Sequence, residues 1–136
     1  MATSNRQLRI YLVEDSPILL SRLIELLQGV GVTLVGHANS AMVAIAEITT
    51  LAPDAIIVDI ALKSGNGFEV LRALAGRKDD RPVRIVLTNY TSAPYRNAAK
   101  RLGVEYFFDK SSEILEMLKV VTSMASSADR RNGSDE

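Results

Sequence analysis

The sequence predicts an α/β domain in which five strands alternate with five helices. Three observations carry this expectation. Short apolar runs rich in β-branched residues recur, the clearest being Ala55-Ile56-Ile57-Val58, and such runs read as strands buried on both faces. The stretches between them place apolar residues at helical spacing. Several of the runs stop abruptly in polar residues, at Glu14-Asp15, Asp59, Thr88 and Asp109-Lys110. Because strand–helix–strand crossovers are right-handed, the alternation becomes a parallel sheet covered on both sides.

Residues 1–6 are polar and are expected to be a flexible N-terminus. The first strand runs from Leu8 to Val13. Ser16 suits an N-cap and Pro17 the first helical position, where its missing N–H costs nothing. The helix that follows carries Leu19, Leu23, Leu26 and Leu27 on its inner face and stops at Gly29 and Gly31. Leu20 and Ile24 widen that stripe, either as core margin or as a docking patch for a partner helix. Thr33 to Ala38 is the second strand, and Ser40 caps a helix with Val43, Ala44, Ile48 and Leu51 on one side.

After the third strand and Asp59, the loop Ile60 to Gly67 holds two glycines that permit positive φ. A third helix with Phe68, Val70, Leu71 and Leu74 ends at Gly76, and Arg77 to Asp80 is a charged turn. Val83 to Leu87 is the fourth strand and delivers Thr88. Pro94 opens a helix to Leu102-Gly103, and Tyr106-Phe107-Phe108 is a short fifth strand. The last helix starts near Ser112 with Ile114, Leu115, Leu118 and Val121 inward. The domain is thus expected over 7–125, with 126–136 a disordered polar tail.

At 136 residues and 47% hydrophobic content the chain can build one proper core. Sixteen basic residues balance sixteen acidic ones, which leaves no electrostatic footprint for wrapping nucleic acid, so no direct DNA binding is expected. Arg130-Arg131 reads as a solvated pair. With no cysteine, disulfides and thiolate metal sites are excluded. The start lacks a secretory h-region, and no apolar run approaches a membrane span, so a cytoplasmic protein without membrane contact is expected.

The polar strand ends carry the chemistry. In open parallel sheets, ligands gather beyond the carboxyl ends of the strands. If strands one and three are neighbours, Glu14, Asp15 and Asp59 share one pocket. Carboxylates about 4 Å apart repel by roughly 4 kcal/mol at an effective dielectric near 20. A cation must offset this. Lys110 supplies one charge, and a hard divalent ion such as Mg²⁺ suits a site of few carboxylates and several waters. Asp59 is then a candidate nucleophile, since aspartate forms acyl-phosphates. The Lys110 ammonium and the Thr88 hydroxyl would act on the phosphoryl oxygens. Taken singly, each residue has a plainer reading: a turn aspartate, a strand threonine, a surface lysine, a helix-entry acid pair. His37, on the second strand, reads as an ordinary edge residue.

Over about residues 7–123 the chain resembles the receiver domain of two-component response regulators. The matching residues are Leu12-Val13-Glu14-Asp15, the stretch from Pro53-Asp54 to Asp59, the spacing of eight from Asp59 to Gly67, Leu87-Thr88, and Gly103 with Asp109-Lys110. The resemblance implies a flavodoxin-like (βα)5 fold with strand order 2-1-3-4-5, an order for which a receiver protein is itself a standard example. It implies Asp59 as phospho-acceptor, and Glu14, Asp15, Asp59 and the Ala61 backbone carbonyl as Mg²⁺ ligands. It also implies Thr88 as switch hydroxyl, Lys110 as phosphate-contacting lysine, and Phe107 as the aromatic that reports switching, for which ordinary core is the plainer reading. A histidine kinase or a histidine phosphotransfer protein would be the donor.

Three positions depart from the family's pattern. Lys63 replaces a usual proline and is expected to loosen the loop after Asp59. Asn89 stands after Thr88 where Ala or Gly is usual, and with Tyr90 next to it at the pocket mouth is expected to alter phosphoryl access and hydrolysis rate. Ser111 replaces the proline after the lysine; a cis bond before a non-proline costs about 2.5–4 kcal/mol, so a trans peptide or a strained loop is expected.

The expected function is a stand-alone response regulator that takes a phosphoryl group onto Asp59 and signals through protein contact or relay to a downstream protein. Its only chemistry would be its own phosphorylation and dephosphorylation. Arg96, Lys100 and Arg101 on helix four and Glu113 and Glu116 on helix five permit a charged contact in a homodimer formed on phosphorylation. Two other readings stand beside it. An aspartate-nucleophile phosphohydrolase normally needs a second acid two residues after the nucleophile, where this chain has Ala61. A phosphorylation-independent scaffold tends to lose a site residue, and all five are present.

Overall fold

The computed structural model describes residues 7–76 and 82–134, with side chains to residue 128. The expected flexible segment 1–6 and the charged turn Arg77 to Asp80 lie outside the described residues. In chain order the elements are β1 (Arg9–Val13), α1 (Pro17–Gly29), β2 (Thr33–Ala38), α2 (Ala41–Leu51), β3 (Ala55–Val58), α3 (Gly67–Ala75), β4 (Val83–Thr88), α4 (Ala93–Arg101), β5 (Tyr106–Asp109) and α5 (Ile114–Ser134).

The strands form one parallel sheet in the order β2-β1-β3-β4-β5, the flavodoxin-like arrangement. Side chains of successive strand residues leave on opposite faces. On β1, Ile10 and Leu12 join a core under α1 and α5 with Leu23, Leu27, Met117 and Val121. Tyr11 and Val13 join a second core under α2 and α3 with Ala44, Ile48, Val70 and Leu71. β3 is buried along its whole length, as its unbroken apolar run requires. β2, at the edge, pairs with β1 through one irregularity: Ile10 faces Leu34 but Tyr11 faces Gly36, leaving Val35 as an extra residue.

Local signals set most boundaries. Ser16 Oγ accepts from the Leu19 N–H and Ser40 Oγ from the Val43 N–H, and Asn66 with Glu69 forms a reciprocal capping box at α3. α1 runs through Gly29, and Gly31 makes the exit turn at φ +82°. α2 buries Ala41, Ala44 and Ile48, so the three- and four-residue spacing is counted from Ala41 and Val43 turns outward at 47% exposure.

The expected domain end near 125 and disordered tail over 126–136 do not stand: α5 continues to Ser134. Met124, Ala125 and Ala128 pack against the first core as continuations of the Met117–Val121 stripe. The polar composition from Ser126 onward masked that stripe. Residues 135–136 lie outside the described residues. Among the described residues no helix is long and apolar enough to cross a membrane.

Candidate functional site

The carboxyl ends of the strands are level because the ladders extend one step past them. Glu14 N–H donates to Ala38 O at 3.0 Å, Asp59 N–H to Val13 O at 3.0 Å, and Lys110 N–H to Thr88 O at 2.9 Å. Residues from 14 to 110 are thereby delivered to one edge of the sheet.

Asp59 lies at the centre, buried at 5% exposure. Its Oδ2 accepts from Lys110 Nζ at 2.5 Å, and its Oδ1 accepts from the Ala61 N–H at 3.1 Å. The same ammonium lies 3.0 Å from Glu14 Oε1, while Glu14 Oε2 accepts from the Ser16 N–H at 3.0 Å. Glu14, Asp15 and Asp59 each offer a carboxylate oxygen within 4.8 Å of the others. Burial pulls the Lys110 amine down, but its hydrogen bonds to Asp59 and Glu14 and their charges outweigh it, so the net shift is upward. Three carboxylates thus face one ammonium, a negative surplus of hard oxygen donors that fits a divalent cation bound by oxygen.

The loop from residue 60 to 66 is shaped to reach this point. Gly67 N–H donates to Ile60 O at 2.8 Å, and a Cβ on Gly67 would come 2.3 Å from the Asp59 carbonyl oxygen, so only glycine fits. Gly65, at φ +75°, packs against Ala41, and the Ala41 N–H donates to Ser64 O at 3.1 Å. Lys63 therefore sits in a loop anchored on the start of α2, a tether between elements that no local sequence pattern marks.

Thr88 is fully buried at the end of β4, and its Oγ1 accepts from the Tyr90 N–H at 3.2 Å. Phe107 is half-buried on β5 within the second core. Arg96, which the sequence suggested only as a surface cation, lies over it with the guanidinium carbon 4.6 Å from the ring centroid. Its stacking partner is eleven residues further along the chain and on another element.

Beyond Lys110 the loop is held without proline. Asp109 Oδ1 accepts from the Ser111 N–H at 2.8 Å and Oγ–H at 2.6 Å, and Glu113 Oε1 accepts from the Asp109 N–H at 2.8 Å. The bonds from the Ser111 hydroxyl and N–H, helped by the nearby Arg96 charge, hold the Asp109 carboxyl below its ordinary range. Glu113 is thus engaged within its own chain.

Comparison with known proteins gives the family. Residues 10–122 match the family described as the response regulator receiver domain. The chain is 30% identical, over 83% of its length and 52% of the relative's, to the DNA-binding transcriptional activator DevR/DosR of Mycobacterium tuberculosis. Among solved structures, the receiver domain of the sensor histidine kinase PA1611 from Pseudomonas aeruginosa PAO1, solved with a coordinated magnesium ion, superposes with a TM-score of 0.76 at 20% identity, covering 89% of this chain and 99% of that one. A DNA-binding response regulator of the LuxR family from Staphylococcus aureus gives 0.76 at 21% identity, covering 87% and 98%. The chain belongs to the response regulator receiver domain family, and with it to two-component signalling.

The relatives also correct one expectation. Balanced charge predicts no direct DNA binding, yet a curated relative is a DNA-binding activator, so that expectation does not stand. Charge balance describes only the segment over which it is counted, and DNA contact made elsewhere in a protein leaves no trace in it. The chain spans about half the length of the curated relatives it matches, and the stand-alone expectation draws no support from them.

Proposed function

We propose that this chain accepts a phosphoryl group on Asp59 from a phosphohistidine donor, either a histidine kinase or a histidine phosphotransfer protein. The observation that carries the reading is Asp59 itself: a buried carboxylate held between the Lys110 ammonium and the Ala61 N–H, with Glu14 and Asp15 beside it. An Asp59 carboxylate oxygen attacks phosphorus, the P–N bond to the donor imidazole breaks, and the electron pair leaves on that nitrogen. The product is an acyl-phosphate. The Lys110 ammonium pairs with the transferred oxygens, and the Thr88 O–H donates to one of them. Glu14, Asp15, Asp59 and the Ala61 carbonyl would hold a magnesium ion, which when bound neutralises charge on the phosphoryl group.

Phosphorylation adds a charge of about −1.5 to −2 and shifts the population of surfaces around α4, β5 and α5. Signalling follows by protein contact or by passing the phosphoryl group on. The domain turns over no separate substrate: water attacking the acyl-phosphate returns Asp59 and inorganic phosphate.

Incubation with acetyl phosphate and Mg²⁺ tests this by intact mass. Wild type is expected to gain one phosphate and Asp59→Asn none. No gain in wild type, or an equal gain in both, would overturn the reading.

A further inference from the structure

α1, α2 and α3 begin with side-chain caps, but Ser92 at the start of α4 makes no side-chain cap bond. A helix entry without a cap depends on other contacts to fix it. Here they come from two successive residues of α4. The Tyr95 ring packs against Tyr90, centroids 5.3 Å apart, and lies parallel to Phe68 at 6.5 Å. Arg96 Nε donates to Thr91 O at 2.7 Å while its guanidinium covers Phe107. Two successive residues of the loop between β4 and α4 are therefore gripped, Tyr90 by an aromatic ring and Thr91 through its carbonyl. The Tyr90 N–H in turn donates to Thr88 Oγ1.

We infer that Arg96, together with Tyr95, is a positioning residue that clamps this loop and holds the Thr88 hydroxyl in its resting orientation, so that the clamp sets how readily Asp59 is phosphorylated. The inference rests on phosphoryl acceptance at Asp59. Thr88 is fully buried and its Oγ1 is bonded to the Tyr90 N–H of this loop, so a shift of the hydroxyl toward a phosphoryl group on Asp59 pulls on the loop. That movement draws the Thr91 carbonyl off Arg96 and Tyr90 off Tyr95. Contacts that break on the way to one state stabilise the other, so removing them shifts the population toward the phosphorylation-ready form. A guanidinium suits the place because its flat face covers an aromatic ring while its edge holds a carbonyl, and an ammonium does not do both.

The test uses acetyl phosphate and Mg²⁺ with wild type, Arg96→Met and Arg96→Lys, each alone and with Thr88→Ala. Arg96→Met is expected to speed phosphorylation about five-fold or more, with Arg96→Lys intermediate. Amide exchange at Tyr90 and Thr91 without any donor is expected to rise in step. The acceleration is expected to vanish in the Thr88→Ala background. An unchanged or slower rate in Arg96→Met, or equal acceleration when Thr88 is absent, would overturn the inference. Tyr95→Leu, which opens the other half of the clamp, gives the same reading should Arg96→Met fail to fold. A wild type that takes no phosphate defeats acceptance at Asp59 itself, and the exchange measurement still judges the clamp.

Discussion

At Lys110 two opposing effects meet on one nitrogen. Enclosure disfavours the ammonium, and two carboxylates restore it more strongly, so the charge is an internal counter-ion for Asp59 and Glu14. Its neighbour Asp109 offers a cleaner measurement. Hydrogen bonds from Ser111 lower the folded pKa of Asp109 below the unfolded one. Its contribution is therefore complete above the ordinary aspartate value of about 3.9 and fades as pH falls through the lower folded value. Asp109→Asn is expected to lower the thermal midpoint at neutral pH, with the gap to wild type closing below about pH 4. A gap that stays constant into acid would contradict this assignment. At this scale the sequence was informative where a residue ends an apolar run, as Asp59 and Thr88 do. It was silent on Arg96, whose stacking on Phe107 depends on the distance between α4 and β5.

Among elements, β1 and α2 are joined by a bond that no periodicity reveals. Tyr11, fully buried on a central strand, donates from its hydroxyl to Glu47 Oε1 at 2.5 Å, thirty-six residues away. Gly36 makes room, since a Cβ there would lie 2.9 Å from the Tyr11 ring. Burial, and then the hydrogen bond to Glu47 and its charge, raise the phenol above its ordinary value. The folded phenol keeps a proton that the unfolded one releases, so stability falls as pH rises beyond about 10. Tyr11→Phe is expected to cost about 1 kcal/mol at neutral pH and to lose less than wild type on passing into alkali. Urea unfolding at both pH values measures it, and parallel losses would refute it. From sequence, a tyrosine inside an apolar run reads only as core. The length of α5 was hidden for the opposite reason: Met124, Ala125 and Ala128 continue an inward stripe through a stretch rich in serine.

For the whole molecule, parallel topology did most of the work of making the site legible. Once all strands point the same way, every run-ending polar residue arrives at one edge, and Glu14 meets Lys110 across ninety-six residues of chain. Alternation alone put the polar run ends on one edge; that Glu14, Asp15 and Asp59 share a pocket needed the strand order that the family resemblance implies. The anchoring of the loop after Asp59 on α2, and the grip of α4 on the loop after Thr88, were not readable, because each joins elements whose spacing only packing decides. Nor could net charge speak for the DNA contacts of a longer relative.

The extra residue Val35 carries a consequence for crowded solution. β2 is an outermost strand, and a straight rim of unpaired backbone groups there would invite other molecules to add strands and polymerise. The register shift at Val35 breaks the regular spacing of that rim, and an extra residue of this kind bends a strand away from a linear template. Deleting Val35 is expected to straighten it and to increase light scattering on heating at equal concentration, whereas equal or weaker scattering would show that the bend does not protect the fold from fibre growth.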